Sequence, residues 1–217
     1  MDKEKAAAYV KYGLNENITP GQVKMTIFGA NLLYPIGIFC GIAWGNTALQ
    51  LGLAILIISV LTILSLLIYQ RGLTLKKLLI VYSILGIELA INCILTCFVC
   101  SYKLGTSPII IPFVIAIPLC VFFLYVVITK KSVEEGKFLQ GKRVKKGKVG
   151  VYSLLGATAG VAGAKAFLKD AGQDTAAAVL FIGFLVLCAI AGYGMGNILK
   201  VHYVKKFALT KADLEAS

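Results

Sequence analysis

Apolar positions along this chain do not alternate with polar ones at the three-to-four spacing of a half-buried helix. They run together. Six blocks stand out, at roughly 27–44, 51–69, 78–100, 108–129, 149–168 and 177–199. A helix needs about 20 residues to cross the hydrocarbon of a bilayer, and each block is near that length. The pattern predicts an all-α polytopic membrane protein, a six-transmembrane-helix bundle. Residues 1–26 form a polar N-terminal segment, 130–148 a basic loop and 200–217 a tail. Helix-start signals support the blocks. Thr19–Gln22 reads as a capping box with Pro20 at the first helical position, Ser107–Pro108 opens the fourth block, and Asp174 or Thr175 is placed to cap the sixth. The first block reads as an uncleaved signal-anchor.

Charge sets the orientation. Of the 22 Lys and Arg, nineteen fall before the first block, between the second and third, between the fourth and fifth, or after the sixth. The intervening loops hold only Lys103 and Lys169, and Lys165 lies within the fifth block. The positive-inside rule then predicts both termini in the cytoplasm, with the cell membrane as the expected location. The net charge of +12 follows from this sorting. It is dispersed over four segments, which argues against a nucleic-acid partner. The exceptionally basic stretch Lys142, Arg143, Lys145, Lys146 and Lys148 is suited to anionic inner headgroups or to an acidic protein partner.

Helices in lipid associate through close backbone approach and polar contacts. Gly37 and Gly41, Gly156 and Gly160, and Gly192 and Gly196 each stand four apart and are candidate packing positions, either within the bundle or between two copies of the chain. Pro112 and Pro118 are expected to bend the fourth span. Six cysteines lie within predicted spans; Cys93, Cys97 and Cys100 share a face, and the default reading is burial as small apolar side chains.

One residue breaks the apolar pattern in a way that needs a reason. Glu88 is ten residues into the third block, about 15 Å at helical rise, near the middle of the hydrocarbon. An ionised carboxylate there costs about 2.5–3.5 kcal/mol on insertion scales. Asn92 and Thr96 follow at intervals of four, so the three form one polar stripe. This is the candidate site for binding a proton, an ion or a substrate. No nucleophile motif, phosphate-binding loop or histidine pair accompanies it; His202 is the sole histidine. The expected function is therefore not enzymatic, with no metal and no cofactor. A small transporter or permease-type subunit with a polar midplane site on the third span is the first expectation. The alternative is a non-transporting membrane partner, an immunity, assembly or regulatory protein acting through helix packing and the basic loop.

Overall fold

The computed structural model describes residues 2–12, 14, 23, 24, 26, 27, 38, 42, 48–70, 74–106, 110–139 and 172–216. Among them it is all-helical, without strands. The helices are α1 (Lys3–Lys11), α2 (Ala48–Gln70), α3 (Leu75–Lys103), α4 (Ile110–Glu134), α5 (Gln173–Gly194), α6 (Asn197–Lys206) and α7 (Lys211–Ala216). Four stretches are long and apolar enough to cross a membrane, namely Leu51–Ile68, Leu75–Lys103, Ile110–Glu134 and Gln173–Lys206, and they mark the chain as a membrane protein. The predicted span 149–168 lies outside the described residues, as does 27–44 except for residues 27, 38 and 42; so do the capping box at 19–22, Gly37, Gly41, Gly156, Gly160, Lys165 and the basic cluster 142–148.

α3 is the hub. It packs against α2, α4, α5 and α6, and it is the most buried of the long helices. Thr74 caps it, its hydroxyl accepting the Lys77 N–H at 3.3 Å, one of the four donors that a helix start leaves open. Hydroxyls along the spans return to their own helix. Ser59 donates to the Ile55 carbonyl, Ser65 to Leu61 and Ser83 to Leu79, which removes their need for water. α2 and α4 turn most of their side chains outward. Leu56, Ile63 and Leu67 on α2, Phe113, Phe123 and Val127 on α4, and Ile182, Val186 and Ile190 on α5 are exposed. In water such faces would drive aggregation, whereas hydrocarbon is their natural solvent.

Helix directions follow from the contacts. Gly86 of α3 touches Gly194 at the end of α5, while Lys103 lies 3.7 Å from Asp174 at its start; these two helices are antiparallel. Ile68 packs near Leu78 and Leu85, and Thr62 meets Glu88, so α2 is also antiparallel to α3. Val114 of α4 sits with Cys93 and Cys97, and Val133 with Leu79. Hence α2, α4 and α5 all run against α3 and parallel to one another. α1 joins the end where α4 and α5 finish. Tyr9 packs with Leu79, Val133 and Tyr203 there, and its hydroxyl meets that of Tyr125 at 2.9 Å. Lys5 donates to the Glu134 carbonyl at 3.0 Å, and buried Lys200 donates to the Tyr12 carbonyl. Each ammonium thus caps a helix C-terminus, where carbonyls lack partners and the dipole is negative.

Two sequence expectations are revised. The sixth block is not one helix over 177–199. α5 starts earlier, after Gly172 rather than capped by Asp174 or Thr175, and a turn at Met195–Gly196 separates it from α6. The turn fits because the Tyr125 ring fills the space that a Cβ at Gly196 would need. Pro112 lies in the first turn of α4, where its missing N–H has no helical acceptor to lose; α4 runs unbroken through Pro118. Tyr203 at this end is buried against Tyr9.

Candidate functional site

Glu88 is 0% exposed, Asn92 3% and Thr96 1%. At 100° per residue, the three lie about a third of a turn from the Gly86, Cys93 and Cys97 face that meets α5. They line the side of α3 that turns toward α2. Here the structure supplies a residue that sequence reading missed. The Thr62 hydroxyl of α2 donates to Glu88 Oε1 at 2.8 Å. It is an interhelical bond between two side chains in the apolar part of both helices. A signal for it was present. The short connection between the second and third blocks makes them an antiparallel hairpin, and counting outward from that turn brings Thr62 to within about a helical turn of Glu88.

The other two residues of the stripe behave differently. Asn92 is one turn further along, and its Nδ2 finds no acceptor among the described residues. A buried amide without its bond costs about 1–3 kcal/mol, so a group able to accept from Asn92 is favoured at this place. The Thr96 hydroxyl is occupied, donating to the Asn92 carbonyl of its own helix at 3.0 Å. It retains acceptor capacity only. Toward the α1 end, the same face of α3 continues as Leu85, Val81 and Leu78. Val23 and Ile27 close over these residues with Ile68. Glu88 is therefore sealed from that end by an apolar plug.

The remaining sequence-selected positions fall elsewhere. Gly192 lies where a Cβ would come 2.5 Å from the Pro118 carbonyl oxygen, and Gly196 lies against Tyr125. Both are packing positions, and both face α4. The cysteines Cys93, Cys97 and Cys188 form a separate apolar cluster with Val114 and Phe184 on the α5 side.

Among the described residues the chemistry at this place comprises the Glu88 carboxylate, a hydroxyl that donates to it, and an amide one turn away whose Nδ2 finds no acceptor there. Such a set is able to hold a proton, or an oxygen-seeking cation, together with one hydrogen-bond acceptor of a bound molecule. It contains no nucleophile with an adjacent base. Comparison with known proteins adds no assignment, since no protein family, curated protein or solved structure matches this chain.

Proposed function

We propose that the chain is a six-span membrane transporter or permease-type subunit, with both termini cytoplasmic, whose substrate or coupling-ion site is Glu88 with Thr62 and Asn92. Helix directions support the six spans. α1 and the end of α4 share one side, whereas α2 and α5 begin on the other. These directions support one further crossing in each of the connections from 12 to 48 and from 134 to 173, in which the apolar blocks 27–44 and 149–168 lie. Of the described basic residues, nearly all fall toward the α1 side and Lys103 at the other, which supports placing the α1 side in the cytoplasm. Lipid with anionic inner headgroups is the expected surrounding, and Thr96 borders the site as an acceptor.

The observation that carries the functional reading is the interhelical pairing of fully buried Glu88 with Thr62, beside an Asn92 amide whose Nδ2 finds no acceptor among the described residues. Intramembrane carboxylates characteristically mark ion and substrate paths. The test is purification of the full chain in mild detergent, followed by mass spectrometry of everything that co-purifies. A retained small molecule that is lost in a folded Glu88→Gln variant supports the site. A stoichiometric protein partner with no small molecule would replace this reading by that of a membrane partner, and charge reversal over Lys142–Lys148 would then break the complex. If Glu88→Gln instead prevents folding while Thr62→Val does not, the carboxylate is structural and the transport reading falls.

A further inference from the structure

A second set of chemically capable side chains lies on the opposite flank of α3, independent of the Glu88 site. Cys93 and Cys97 stand one turn apart on the face toward α5, and Cys188 comes from α5. All three are 0% exposed and all are free thiols. Cys188 packs in one buried cluster with Cys93 and Cys97. Cys97 gives its S–H to the Phe181 carbonyl, with the sulfur 3.7 Å from the oxygen. The three thiols thus lie together between α3 and α5, with Cys97 tied to a helix carbonyl.

Packing does not require sulfur here. Tight crossings are made by Gly, Ala and Ser, and this same helix pair uses Gly86 against Gly194, where a Cβ would come 2.8 Å from the opposing backbone. A disulfide needs Cα atoms about 4.4–6.8 Å apart, a separation to which a tightly packed helix pair is suited. Among the described residues no three His, Cys, Asp or Glu side chains are arranged to hold a metal ion.

We infer that Cys188, with Cys93 and Cys97, is an oxidation site inside the bundle, at which a small neutral peroxide links α3 to α5 through a disulfide. The hydrocarbon excludes charged oxidants and selects this class. Cys188 Sγ takes one oxygen of the peroxide; the O–O bond breaks, and the thiol proton leaves in the first water, giving a sulfenic acid. The sulfur of Cys93 or Cys97 then displaces the hydroxyl. The S–S bond forms, the S–O bond breaks, and the second thiol proton leaves in the second water. Two thiols thereby lose two electrons, and peroxide is reduced to two waters. The remaining thiol is placed to attack the bridge at Cys188, moving the disulfide from one neighbour to the other.

The experiment treats membranes containing the full chain with hydrogen peroxide. Quenching in acid, alkylation under denaturing conditions, digestion and mass spectrometry follow. The expected product is a reducible peptide pair joining the α3 and α5 segments, with Cys188 bonded to Cys93 or Cys97 in most molecules. Cys93→Ala moves the bridge to Cys97, Cys97→Ala moves it to Cys93, and Cys188→Ala abolishes it while Cys120 still oxidises. Because each single variant of Cys93 or Cys97 reports its own bridge, folding is tested with it. Recovery of Cys188 as a free thiol at doses that oxidise exposed Cys120 overturns the proposal, as does a bridge that persists in Cys188→Ala.

Discussion

At the scale of single residues, Glu88 was conspicuous in the sequence because one carboxylate in an apolar run has few explanations, but its partner was not. Thr62 is unremarkable in a block that also contains Ser59 and Ser65, and nothing local distinguishes the hydroxyl that bonds across from those that bond back. Hairpin register makes the choice. Interhelical hydrogen bonds in membranes contribute on average about 0.6 kcal/mol, with a maximum near 1.7. Thr62→Val should destabilise the folded protein by about 1 kcal/mol in a detergent unfolding titration, and Thr62→Ser should restore most of it. Equal stability of the Val variant and the parent would show that the 2.8 Å contact contributes nothing. Thr96 is the converse case. It looked like a third member of the site by spacing, yet its hydroxyl is already committed to the Asn92 carbonyl.

For the helices as elements, glycine spacing in the sequence identified Gly192 and Gly196 as packing positions but not their neighbour. They meet α4, while the tightest approach of α3 to α5 is at Gly86 and Gly194, which no four-residue spacing singled out. Alanine at Gly86 places a methyl against backbone that cannot rotate away, and overpacking of this kind costs about 1–3 kcal/mol. Gly183 has nothing within 4 Å of a built Cβ, so Gly183→Ala should be neutral or stabilising by up to about 1 kcal/mol from helix propensity. Melting temperatures of the two variants in one detergent should move in opposite directions or differ clearly. α7 offers a pH test. Lys3 beside Asp213, at 2.6 Å, and the hydrogen bonds from Thr210 hold the Asp213 carboxyl down to about 2. A depressed carboxyl contributes stability above its unfolded value near 3.9, and loses it as pH falls through the folded value. Hydrogen exchange of the 210–214 amides should therefore accelerate, relative to its intrinsic rate, between about pH 4 and 2, and Asp213→Asn should remove that pH dependence. At Tyr9, burial first and then the bond to Tyr125 push the hydroxyl well above its ordinary range, so this contact should be insensitive to alkali up to pH 10. Tyr9→Phe should cost about 0.5–1.5 kcal/mol, read as increased protease cleavage of α1.

For the molecule as a whole, the proposed six crossings predict a sidedness that native lysines report. A membrane-impermeant amine reagent on intact cells should modify Lys103 and Lys169 only, with Lys3, Lys5, Lys205 and Lys206 reacting after permeabilisation. Labelling of Lys3 and Lys103 from the same side would contradict the helix directions described above. The sequence by itself determined that the protein is helical, where its apolar stretches lie and which residue within them is anomalous. These are properties of the chain against its solvent: a run of apolar residues prefers hydrocarbon, a helix satisfies its own backbone there, and lysines resist translocation whatever the helices touch. Only the tertiary structure decided that Thr62 serves Glu88, that Asn92 Nδ2 finds no acceptor among the described residues, that Gly194 rather than Gly192 meets α3, that the sixth apolar block breaks at Gly196, and that three cysteines converge. Each of these depends on the register and rotation of one helix against another. In a bundle whose blocks are apolar nearly all round, no hydrophobic stripe encodes either; side-chain shape and the few hydrogen bonds available in lipid do.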